Sequence, residues 1–131
     1  MEENCVAIER IDLSNPEWGF TFSTCVVAGD FVFTSHQGGL VDEEGNRLES
    51  IEEQTEQCFR NLERALEAGG ATLSDVVKTT VYLKNIDDFR KMREVYRRQF
   101  TGGYPARMTL TTEFIEPECL IMIEAVAYKP S

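Results

Sequence analysis

The sequence predicts an α+β domain, a single mixed β-sheet with two helices packed on one face. Two stretches repeat apolar residues at helical spacing. Six others carry the alternation or the β-branched runs of strands, and turn residues separate them in the order β-β-β-α-β-α-β-β. A length of 131 residues with 42% hydrophobic content suits one domain, spanning 1–131, with a core of its own.

Residues 1–4 read as a loose end, and 6–11 alternate well enough to be a first strand. Ser14, Asn15 and Pro16 supply turn chemistry, because proline presets its own φ and short polar side chains bond back to nearby backbone. Segments 20–22 and 25–27 precede Ala28, Gly29 and Asp30, a turn into 31–35. That pattern is a hairpin whose return strand ends at Ser35. The stretch 38–46, glycines followed by acidic residues, reads as an exposed loop. Ser50 and Glu53 have capping-box spacing, with Ser50 as the N-cap. Behind them Ile51, Thr55, Cys58, Phe59, Leu62, Ala65 and Leu66 share one side of a helix that Gly69 and Gly70 end in left-handed backbone. Residues 76–83 form a β-branched strand. A second helix starts at Asn85 or Asp87, buries Phe89, Met92, Val95, Tyr96 and Phe100, and ends at Gly102. Strands 108–112 and 119–128, joined by a turn at Glu116 and Pro117, close the chain.

Two amphipathic helices cover one face of such a sheet and leave the other bare. Leu110, Leu120, Met122 and Val126 then require a partner surface, which predicts an oligomer. A net charge of −10 argues against a nucleic-acid interface, which needs a basic stripe. Arg90, Lys91, Arg93, Arg97 and Arg98 scatter round the second helix, as a solvated surface or as the lining of an intersubunit pocket. No basic leader with an apolar run and no membrane-length span is present in the sequence. Cys5, Cys25, Cys58 and Cys119 lack CxxC spacing and His36 is the one histidine, so the expectation is reduced cytoplasmic thiols with no disulfide and no metal.

The informative motif is Tyr104, Pro105, Ala106, Arg107, Met108, Thr109, just before the last two strands. Pro105 suits the first residue of a strand, and Arg107 then emerges with a rigid guanidinium able to grip a carboxylate in two places. Pro105-Ala106-Arg107 followed by the apolar strand that carries Glu124 and Ala125 resembles the signature of the Rid family of reactive intermediate/imine deaminases, also called YjgF, UK114 or endoribonuclease L-PSP-like proteins. Segments 33–37, 76–84 and 87–89 extend the resemblance over residues 7–128.

The resemblance implies a chorismate mutase-like (YjgF) fold. It also implies a homotrimer with a central barrel and a pocket at each subunit interface. There, 2-aminoacrylate and other enamines or 2-imino acids would be hydrolysed to 2-keto acids and ammonia without a cofactor. Arg107 matches the carboxylate-binding arginine and Ser35 the pocket serine. Phe22 stands where the family has a tyrosine, His36 where it has a glycine, Thr109 where cysteine is frequent, and Arg93 where archetypal members have asparagine. Tyr104 flanks the motif as a substrate-side residue. The glutamate that positions water falls on Met122. Glu124, two residues along and therefore on the same strand face about 6.6 Å away, is the carboxylate available to replace it. Glu113 is a further candidate by alternation with Arg107. These substitutions suggest a pocket retuned for a larger or more apolar ligand.

Three readings follow: an imine deaminase using Arg107 and Glu124, a carboxylate-binding protein without turnover, or a chaperone-like or ribonuclease role. The net charge and the lack of a histidine pair weigh against the ribonuclease.

Overall fold

The computed structural model describes residues 7–130. Among them, seven strands form one sheet: Ile8–Ile11 (β1), Cys25–Ala28 (β2), Phe31–Thr34 (β3), Gln37–Gly38 (β4), Val76–Leu83 (β5), Ala106–Thr111 (β6) and Ile121–Tyr128 (β7). Their order is β1-β2-β3-β7-β5-β6, with β4 also paired to β7. The β5–β6 pair is parallel and the others antiparallel, so the sheet is mixed, as predicted. Ile51–Ala68 (α1) and Phe89–Arg97 (α2) cover the same face.

The two faces are read most directly along β7. Ile121, Ile123, Ala125 and Ala127 are buried under the helices, while Met122, Glu124 and Val126 between them are half-buried on the open face. Phe59, Leu62 and Leu66 of α1 and Met92 and Tyr96 of α2 complete the core with Val81 and Leu83. Every α1 residue expected to face inward does so, and Gln54 and Gln57 join them. Buried Gln54 is fully used: its amide nitrogen donates to Leu48 O (2.9 Å) and Glu118 O (3.1 Å), and its oxygen accepts from Leu120 N (2.8 Å).

Several boundaries differ from the expectation, each for a local reason. The predicted loose end and the start of the first strand at residue 6 lie outside the described residues. Segment 20–22 is not a strand. It follows a single 3-10 turn, Pro16–Trp18, capped by the Asn15 side chain on Glu17 N. Gly38, read as the first residue of a loop, instead forms with Gln37 the short strand β4 opposite Met122 and Ile123. β7 begins at Ile121 because Leu120 gives its N–H to Gln54 rather than to a ladder. α2 follows a 3-10 turn, Ile86–Asp88, and ends at Arg97 as its last turn tightens, with Arg98 N donating to Val95 O. Phe100 therefore packs from coil.

The cap of α1 is also half of what was predicted. Glu53 N donates to Ser50 Oγ (3.0 Å), but the Glu53 carboxylate takes the Ser50 hydroxyl proton rather than the backbone N–H. Of the two glycines at its other end only Gly70 is left-handed, at φ 87°. Gly69 is small for contact: a Cβ there would stand 2.7 Å from Val32 Cγ1.

Candidate functional site

The structure divides the predicted site residues into separate groups. Arg107, Arg93 and Tyr104 line one cavity of about 390 Å³ with Tyr96, Arg97 and Pro105. Arg107 comes from β6, the edge strand, and its register partner is Thr79 on β5, a residue buried under α2. Its guanidinium therefore lies on the helix-covered side, 5.0 Å from the centre of the Tyr96 ring and 5.6 Å from that of Phe89. Stacking fixes the position of the charge without neutralising it. The neighbouring arginines are compensated by Glu94, 3.2 Å from Arg97 and 4.0 Å from Arg93, whereas among the described residues no carboxylate pairs with Arg107. A planar guanidinium held on aromatic faces, with no carboxylate partner among the described residues, has the donor geometry to take an external carboxylate.

Tyr96 was expected only as a core residue. Its ring supports Arg107, and its hydroxyl shares a hydrogen bond of 2.7 Å with buried Thr79 Oγ1. Burial raises the phenol above its ordinary range, against the lowering effects of the Thr79 bond and of the charge and hydrogen bonding of Arg107.

Phe22, Ser35, His36 and Met122 meet in a second cleft, of about 510 Å³, between the end of β3, the loop 12–24 and α1. Ser35 is held firmly: its N–H and Oγ both donate to Thr24 O (3.0 and 3.2 Å), and its Oγ accepts from Gln37 Nε2 (3.2 Å). The His36 ring lies 5.1 Å from that of Phe22. Asn61 of α1, which donates to Gly38 O at 2.7 Å, and Arg64 form the back of the cleft. Trp18, which was not singled out from the sequence, and Phe20, read only as part of a strand, also line it. The spacing of Trp18, Phe20 and Phe22, one aromatic at every second position, was the available signal.

The remaining predicted residues belong to neither group. Thr109 sits two residues after Arg107 on the same side of β6 but lines a separate groove with Phe89, Leu110 and Leu83, and its buried Oγ1 has no hydrogen-bond partner. Glu124 stands on the open face opposite Thr80, outside the lining of the Phe22 cleft, and with burial it raises the Tyr82 phenol. Arg107 and the Met122–Glu124 pair thus occupy opposite faces, two strand spacings or about 10 Å apart across the sheet. Among the described residues no group of His, Cys, Asp and Glu could hold a metal ion, and no helix is long and apolar enough to cross a membrane.

Comparison with known proteins gives concordant matches. The family model for endoribonuclease L-PSP matches residues 14–129. A RutC family protein of Pyrococcus abyssi is 40% identical over 109 residues, covering 82% of this chain and 86% of that one. The 2-iminobutanoate/2-iminopropanoate deaminase of Homo sapiens is 32% identical over 107 residues, covering 81% and 78%. Among solved structures, a YjgF/YER057c/UK114 family member from Mycobacterium tuberculosis superposes with a TM-score of 0.81 at 30% identity, over 92% of this chain and 98% of that one.

Proposed function

The chain belongs to the endoribonuclease L-PSP family, also called Rid or YjgF, and we propose that it hydrolyses 2-imino acids to 2-keto acids and ammonia at a site shared between the subunits of a homotrimer. The observation that carries this reading is the Arg107 guanidinium on its Tyr96–Phe89 platform, without a carboxylate partner among the described residues and in a cavity that shares no residue with the Phe22–Ser35–His36–Met122 cleft. Each group is half of a pocket: one supplies a carboxylate receptor, the other a floor and walls. Joining them needs a second copy. The open face offers the surface for it, with Phe31, Phe33, Met108, Leu110 and Tyr128 all exposed.

In this reading Arg107 grips the carboxylate in two places and turns the imine carbon toward the cleft of the neighbouring subunit. Water adds to that carbon, forming the new C–O bond. Collapse of the adduct breaks the C–N bond, and nitrogen leaves as ammonia with the proton of the new hydroxyl. The imine carbon is itself the electrophile, so no cofactor is required. The firmly held Ser35 offers an oxygen to orient the water, and Glu124 is the carboxylate on the Met122 face. General acid–base assistance is worth about 10²–10⁴-fold, so a pocket without it still hydrolyses a reactive imine, slowly.

Met122 lining the cleft where the family resemblance expects a glutamate favours a second reading, carboxylate binding without turnover. Release of ammonia and keto acid from freshly generated 2-iminopropanoate and 2-iminobutanoate separates the two. The deaminase reading expects acceleration over background by wild type and none by Arg107→Ala. No acceleration by either protein, with carboxylates still raising the melting temperature of wild type alone, leaves a binding protein.

A further inference from the structure

The cleft contains one feature that imine hydrolysis does not need. Trp18, Phe20, Phe22 and His36 form an unbroken ladder of rings: Trp18–Phe20 at 5.6 Å, Phe20–Phe22 at 5.1 Å and nearly parallel (14°), and Phe22–His36 at 5.1 Å. Three of these rings are strongly exposed, Trp18 at 62%, Phe20 at 50% and Phe22 at 44%. All four line the same concave surface, with Leu13 and the Met122 thioether beside them. Exposed rings packed one against the next along a cleft, rather than scattered singly, mark a ligand surface.

We infer that this ladder is a side-chain subsite, which makes the preferred substrates 2-imino acids with aromatic or bulky apolar side chains rather than the smallest members of the class. 2-Iminopropanoate, whose side chain is a single methyl, can cover only a fraction of the exposed ring surface that Trp18, Phe20 and Phe22 present. An aryl ring laid on Phe20 and Phe22 displaces water from both faces and adds the offset-stacked or edge-on contacts that aromatic pairs favour. The Phe22 ring carries no polar atom, so this rung of the ladder adds nothing that would need a hydrogen-bond partner beneath an apolar ligand. The polar groups, Ser35, Gln37 and His36, stand at the end of the ladder nearest Met122, where the reacting carbon would lie.

The inference rests on the reading of this site as a 2-imino-acid pocket, so its test uses stable carboxylates that need no turnover. Propanoate and 3-phenylpropanoate share a head group and differ in the side chain the ladder would hold. Trp18 is the single tryptophan of the chain and belongs to the ladder, so its fluorescence reports occupancy. The expected result is that 3-phenylpropanoate binds at least about tenfold tighter than propanoate, the discrimination an apolar pocket achieves. In Phe20→Ala, and in Phe20→Leu should the first variant fold poorly, that ratio collapses toward unity. The ratio of kcat/KM for 2-imino-3-phenylpropanoate over 2-iminopropanoate falls in parallel.

Equal affinities in wild type, or a preference that survives both Phe20 variants, overturn the inference. So does a change in sedimentation with no change in selectivity, because the ladder is then a subunit contact. A binding preference that disappears in the variants, with no imine hydrolysed above background, leaves the subsite standing and removes the deaminase reading instead.

Discussion

The hydroxyls of Tyr96 and Thr79 lie 2.7 Å apart in the core, and the same tyrosine ring carries the Arg107 guanidinium. The Arg107 charge, the proposed carboxylate receptor, is therefore seated on a side chain whose other end is locked to the sheet. Tyr96→Phe keeps the ring under Arg107 but leaves the buried Thr79 hydroxyl without a partner, at a cost of about 1–3 kcal/mol. Adding Thr79→Val removes the orphan and recovers most of that loss. Urea unfolding of the two single variants and the double variant measures the coupling.

The proposed division of the site between two separate cavities predicts complementation. Arg107→Ala removes one half, and Met122→Trp fills the other. Each variant alone is expected to be inactive. When the two are unfolded, mixed equally and refolded together, random assembly leaves about one quarter of the interfaces with both halves intact, and that share of wild-type ammonia release returns. A mixture that stays inactive would place the whole site within one chain.

Met122→Glu restores a carboxylate to the wall of the cleft that holds Ser35 and His36. The expected effect is a gain of about tenfold or more in kcat for 2-imino acid hydrolysis, the lower end of what acid–base assistance contributes. The same variant should be less stable than wild type, because the position is half-buried. Both outcomes are read from one preparation, by ammonia release and by thermal melting.

Gly39 and Gly38 should behave oppositely when changed to alanine. A Cβ at Gly39 would stand 2.0 Å from Gln54 O and 2.8 Å from Cys58 N, backbone atoms of α1 that cannot move aside, whereas at Gly38 the nearest atom is Cys119 Sγ at 3.6 Å. Gly39→Ala is expected to destabilise by about 3 kcal/mol or more, and Gly38→Ala to remain close to wild type. Denaturant midpoints decide this.

Stability should fall on the alkaline side. Burial holds the thiols of Cys25, Cys58 and Cys119 above the ordinary value of 9.0. The unfolded chain ionises its thiols first, so above that value it binds fewer protons than the native state. The stabilisation is complete below pH 9.0 and is lost as pH rises toward the native values, at no more than about 1.4 kcal/mol per pH unit for each thiol. Urea midpoints at about pH 7.5 and about pH 10 should differ in wild type, and by less in Cys58→Ala.

The helices and long strands were legible because each is periodic over enough residues to be unambiguous. The inward face of α1, from Ile51 to Leu66, and the bounds of β5 emerged as written in the sequence. What could not be read depended on contacts between distant segments. β4 is two residues long and exists because Ile123 and Met122 offer it a partner. The start of β7 is set by an amide in α1. The same limit applied to the site. The Pro105–Arg107 motif located the charged residue, and alternation correctly put Met122 and Glu124 on one face together. That Arg107 lies on the other face depends on the parallel pairing of β6 with β5, which no local pattern announces. Tyr96 resembled any other aromatic on a helix until the strand beneath it was in place.

The three hydrogen bonds of Gln54 have a bearing on how this protein can change. Because two of them tie α1 to Glu118 and Leu120, just ahead of β7, a longer or shorter loop near Pro117 would be taken up as slack instead of sliding the strand. Glu124 cannot drift into the place of Met122 through insertion or deletion. An evolving lineage, or a designer, that wants a carboxylate at the cleft has to obtain it by point substitution at position 122. Arg107 on β6, with β5 between it and β7, would be undisturbed, so under the proposed function recognition and chemistry can be altered independently of each other.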